Sequence, residues 1–131
     1  MLFRSTGIAG TTLIAPTMTW RVRIGAASLS GNIAASWAPT PGTSLSNKGW
    51  RIDGEITVRT AGAGGTCIAN GVLSDELSST LTEALKLADQ TATVVVDTTA
   101  SRVLEVTFQF GTSDAANTLA CHNAFIGWVK P

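Results

Sequence analysis

The chain holds one histidine, two cysteines and a few spaced carboxylates from which chemistry could be built. His122 would have to be the base of any Ser-His-Asp relay, with Asp97 or Asp114 orienting the ring. No Gly-x-Ser-x-Gly turn presents a nucleophile, and neighbours Cys121 and His122 would face opposite sides of a strand. A Cys-His metal centre lacks its further ligands at suitable spacing, so the plainer reading of His122 is a strand-end or interface residue. Asp53 and Glu55 stand two apart, hence on one face of a regular strand, and paired carboxylates can hydrolyse glycosides. The plainer reading here is a solvated face answered by Arg51 or Arg59. Ala61-Gly-Ala-Gly-Gly65 has no following lysine and reads as a hairpin turn, not a phosphate loop. Catalytic residues, metal ligands and cofactors are therefore expected to be none, and the chain is not expected to be an enzyme.

Cys67 and Cys121 lie far apart in sequence, too few for a disulfide scaffold. Reduced, strand-buried thiols are the favoured reading, with a disulfide open if their strands prove adjacent. Of the four tryptophans, Trp20 alternates with core residues and should be buried, and Trp50 opens a strand and should pack against a loop. Trp37, just before Ala38-Pro39, and Trp128 are the two expected to be partly exposed. They are the interface candidates, by packing against a subunit or by stacking on sugar rings, beside the plainer reading of partial burial in the core.

The elements that would position these residues are strands. Met18, Trp20, Val22 and Ile24 alternate with Thr19, Arg21 and Arg23, the period-two pattern of a half-buried strand. Ile33–Trp37 reads as a short strand, and Pro39 and Pro41 mark a loop running to Gly49. In Trp50–Thr60, Ile52, Ile56 and Val58 form a stripe, with Gly54 permitting a bulge or close approach. Thr66–Leu73 returns as its hairpin partner. Ser74–Gln90 is two-valued. Leu77, Leu81 and Leu85 fit a helix capped by Ser74, while Leu81, Glu83, Leu85 and Leu87 also fit a strand. Beyond it, Thr93–Val96, Val103–Phe110 and Asn117–Val129 are β. About eight strands result, and the expected fold is all-β, an antiparallel β-sandwich or jelly roll. One domain over residues 16–131 is expected, preceded by an N-terminal arm at residues 1–15.

Composition narrows the partners. Hydrophobic residues are 44% and charged residues 14% of the 131, so disorder is excluded. The nine basic residues are scattered, without the cluster that nucleic-acid or anionic-membrane binding needs. No apolar run is long enough to span a bilayer, and no signal-peptide pattern follows Met1. Synthesis and assembly in the cytoplasm are expected. Such a weakly charged surface suits lasting contact with other subunits, where ionic groups would be costly to desolvate.

The stretch Trp50-Arg-Ile-Asp-Gly-Glu-Ile-Thr-Val-Arg-Thr-Ala-Gly-Ala-Gly-Gly-Thr66 resembles structural proteins of tailed phages, in which a Trp-led strand leads to a Gly-rich hairpin. Val96-Asp-Thr-Thr-Ala-Ser101, Leu104-Glu-Val-Thr-Phe108-Gln-Phe110-Gly-Thr-Ser113 and Asn117-Thr-Leu119 follow in the same order. The resemblance spans about residues 12–129; the Pro39–Pro41 loop and Leu77–Leu87 depart from it. It implies a jelly-roll-like virion domain, a capsid decoration (cement) protein, a head fibre or a tail-fibre module, usually trimeric. The implied partners are the major capsid protein or other virion subunits, and the implied location is the virion. It reads Ser74–Gln90 as strand and loop, and on fold that reading is preferred, with a short helical turn still open.

Overall fold

A computed structural model describes residues 1–12, 16–26, 29–39, 41–77, 84–87 and 93–128. Among them the fold is an antiparallel β-sandwich without helix. Its strands are β1 (Leu2–Gly10), β2 (Met18–Gly25), β3 (Asn32–Trp37), β4 (Lys48–Thr60), β5 (Thr66–Asp75), β6 (Ala84–Leu87), β7 (Val94–Val95), β8 (Val103–Phe110) and β9 (Thr118–Gly127). One sheet runs β6-β5-β4-β1-β9, with the short β7 also paired to β5; the other runs β3-β2-β8.

The alternation read in β2 places Met18, Trp20 and Val22 wholly inside. Facing them across the sandwich are Phe3 of β1, Trp50, Ile52 and Ile56 of β4, and Cys67, Ala69 and Leu73 of β5. Trp20 meets Trp50 at 6.2 Å between ring centroids and Phe108 of β8 at 4.7 Å. Burial of this aromatic layer supplies the main favourable term of folding. Among the described residues the indole N–H groups of Trp20, Trp37 and Trp50 reach no acceptor, so these rings contribute as apolar mass alone.

Three expectations are corrected. The arm at residues 1–15 is instead, over Leu2–Gly10, a strand paired on both sides, with β4 and with β9. The Ile56 N–H donates to the Met1 carbonyl at 2.8 Å, which extends the ladder to the start of the segment. What disguised the strand is its inner face, where Phe3 is followed by Ser5, Gly7 and Ala9, small residues beneath a tryptophan. A β-carbon on Gly7 would stand 1.8 Å from the Ala120 carbonyl oxygen and 2.7 Å from Trp50 Cζ2, so only glycine fits.

Of the two readings of Ser74–Gln90, strand is the one found where that segment is described. Ser74 and Asp75 end β5, and Ala84–Leu87 pair with Val72–Asp75. The Asp75 carboxylate accepts the Leu77 N–H at 3.1 Å, a local turn that takes the chain out of the strand. Residues 78–83 and 88–92, which carry the rest of that reading, lie outside the described residues. The bulge considered at Gly54 falls at Arg59, where the β4–β5 register shifts. Gly54 is a close approach, its missing β-carbon position lying 2.3 Å from Phe3 Cζ. Val58, placed in the β4 stripe, is 53% exposed.

Trp37 is the third correction. It is 2% exposed, not an accessible interface residue, because β3 lies over β5 and Gly71 leaves room for the indole. A β-carbon on Gly71 would be 3.0 Å from Trp37 Cζ2.

Candidate functional site

The chemistry-bearing residues are dispersed or already engaged. Asp97 accepts the Thr99 N–H at 2.9 Å and is ion-paired to Arg102, whose Nε donates to the Asp97 carbonyl at 2.6 Å. The Thr99 bonds, with the Arg102 charge beside them, hold its carboxyl below the ordinary value. Asp114 accepts the Ala116 N–H at 2.9 Å. Both carboxylates thus serve turns, and neither bonds to His122. His122 itself is the extra residue where the β1–β9 register shifts, Thr6 facing Asn123 and Gly7 facing Cys121. Among the described residues no three of His, Cys, Asp and Glu converge as metal ligands.

Cys67 and Cys121 are both free thiols, and β4 and β1 separate their strands in the sheet. Cys67 is buried, and burial pushes its thiol pKa up. Cys121 is exposed on β9, 3.3 Å from the Ser5 hydroxyl, so the expectation of two strand-buried thiols holds only for Cys67.

Asp53 and Glu55 do project to one side of β4, on the outer face of the larger sheet. There Arg4 and Arg51 grip Asp53, Arg4 through a 2.5 Å Nε–Oδ1 contact. Partial burial pushes the Asp53 pKa up, but hydrogen bonds and charge from Arg51 and Arg4 outweigh it, leaving the carboxyl below its ordinary value. An acid so stabilised in its ionised form is a poor proton donor near neutral pH. The partner expected from Arg51 is present; Arg4, from the strand taken for an arm, is the one the spacing could not show. Around this pair runs an open groove of about 820 Å³ crossing four strands, with Leu2, Arg4, Asp53, Glu55, Asn70 and Phe125 along it.

The most unusual surface lies elsewhere, where both sheets end. Among the described residues β9 is the last strand of one sheet and β8 of the other, and each pairs on one side only. Between them a cleft of about 200 Å³ opens toward Trp20 and Trp50, lined by Leu104, Val106, Phe108, Leu119, Cys121 and Ile126. Phe125 and Ile126 on β9 are 58% and 53% exposed, and Trp128 just beyond is 82% exposed. Of the two tryptophans singled out in the sequence, Trp128 therefore stands at this edge and Trp37 does not. The alternation in Val103–Phe110 located Leu104, Val106 and Phe108 on one face; that this face is left half-covered depends on which strand lies opposite. Periodicity cannot express that.

No known protein family, curated protein or solved structure matches the chain.

Proposed function

We propose that the chain is a structural subunit of a virus particle, a capsid decoration protein of a tailed phage that binds the assembled shell as a homotrimer. The observation that carries this reading is the open β8–β9 side, where, among the described residues, the sandwich leaves apolar side chains exposed and two strand edges unpaired. Such a surface suits permanent contact with other subunits better than turnover of a small substrate. The ordered resemblance of residues 50–66 and 96–119 to virion domains gives the contact its setting. The role is non-catalytic: binding only the assembled shell lowers the shell's free energy relative to its separated parts. The major capsid protein is the proposed partner, with no nucleic acid or membrane involved. Among the described residues no helix is long and apolar enough to cross a bilayer.

Co-sedimentation with intact and emptied phage shells tests the reading. Pelleting with both, saturating at a fixed ratio to capsid subunits, is the expected result; protein left in the supernatant at every concentration overturns it. A second reading, a receptor- or glycan-binding module of a tail fibre, draws on the outer groove. There exposed Phe125 stands beside Arg4, Asp53, Glu55 and Asn70, an aromatic platform among hydrogen-bonding groups. Binding to host cells or their surface glycans, lost in Phe125→Ala, would favour it.

A further inference from the structure

We infer that neighbouring copies of this chain meet through the β8–β9 side, with β9 and its flanking apolar residues forming the seam. The inference rests on the oligomer proposed above and names the surface that builds it.

Three observations converge on a second copy as the occupant. The first is charge. Thr118–Gly127 contains no Asp, Glu, Lys, Arg or Pro, although edge strands are ordinarily guarded by charge or proline against pairing with other chains. Its one irregularity is the register shift at His122. On β8 the acidic residue Glu105 accepts the Leu29 N–H at 3.2 Å and belongs to its own subunit's loop. A partner bearing charge here would leave it desolvated without a counter-charge. The β8–β9 side of another copy brings only Glu105, already held by its own loop, and an uncharged β9, so the two sides do not repel.

The second is area. Trp128, Phe125, Ile126, Val103 and Val106 are 82%, 58%, 53%, 42% and 37% exposed. At usual side-chain sizes they offer roughly 500 Å² of apolar surface, as much as the largest patch on a typical monomer. A stable interface takes about 800 Å² from each partner. The exposed His122, Asn123 and Ala124 of β9 add to the surface this side offers.

The third is the backbone. Among the described residues no strand lies beside the outer N–H and C=O groups of β9, and a neighbouring β-edge satisfies them with no change of conformation. The cleft between β8 and β9 is then capped, and its walls of Leu104, Val106 and Leu119 leave water.

The test is the mass of the protein in solution, by sedimentation velocity, for the natural chain and for Phe125→Lys/Ile126→Lys. The natural chain should be an oligomer, and the double variant should need at least about tenfold more protein to associate. Val58→Lys, equally exposed but on β4 by its hairpin, should leave association unchanged. Should the double variant not fold, Phe125→Lys alone replaces it, since that residue shares the solvent face with Arg4. Cys121 gives a second readout on the unaltered protein: alkylation of this exposed thiol should slow as concentration drives assembly. A monomer at all concentrations overturns the seam, as does an oligomer that Val58→Lys disrupts and the edge variants do not. An oligomer broken by the edge variants yet indifferent to shells supports the seam and sinks the shell-binding role.

Discussion

At the scale of single residues, similar side chains do opposite work according to what lies across the sandwich. Trp37 and Trp128 each precede a break in a strand pattern, and nothing in their neighbours separates them. Gly71 decides the matter by giving the Trp37 indole a place to lie, a pairing of residues 34 positions apart in sequence (71 against 37) that no local pattern contains. Trp37→Ala should therefore cost about 3–5 kcal/mol of stability, while Trp128→Ala should change it by less than about 0.5 kcal/mol; urea melts at concentrations dilute enough to keep the chain monomeric measure this. Asp53 yields a prediction in pH. Its folded pKa lies below 3.8, so the Arg4–Asp53–Arg51 cluster contributes fully above that value and is lost as pH falls through the lowered one. Asp53→Asn should be less stable than the natural chain at neutral pH, and the gap should close in acid. A gap constant from neutrality to about pH 2.5 would show that the carboxyl is not held down by its arginines. The carboxylate pair was legible in the sequence as a solvated face; one of its two arginines was not.

Strands β2, β4 and β8 announced themselves because their inward positions are mostly large and apolar at period two, and β5 because it returns from a Gly-rich turn. β1 did not, because its buried row is Phe3, Ser5, Gly7 and Ala9: the partner strand's Trp50 occupies the space its own side chains would fill. A strand can thus be central to a sheet while carrying little hydrophobic signal, the volume being supplied from across the ladder. The Leu-rich segment was two-valued for another reason, since leucines satisfy helical and strand spacing alike, and pairing with β5 settles Ala84–Leu87 as sheet. Deleting residues 1–10 consequently removes a strand hydrogen-bonded on both sides, and should abolish the cooperative thermal transition instead of trimming a loose end. A truncated chain that melts like the full one would refute the pairing.

For the whole molecule, the low charge noted in the composition is concentrated in its effect at one side of the sandwich. The chain carries nine acidic and nine basic residues, and none of them lies on β9. Association through that side should consequently be insensitive to ionic strength, with the same sedimentation profile at about 0.05 and 0.5 M sodium chloride. Dissociation by salt would mean that ion pairs hold the copies together.

The position of β1 between β4 and β9 also sets an order of events during synthesis. Ser5 and Cys121, which touch in the finished sheet, are 116 residues apart. The first strand made has to wait for the last before its second edge is closed, and until then β1, not β9, is the uncovered rim. Pairings this distant make folding slow and leave unfinished chains prone to wrong partners. A newly made chain therefore carries its greatest risk of misassociation just before β9 emerges. The arrival of β9 transfers the sticky edge from a strand that must be hidden to one that another copy can use.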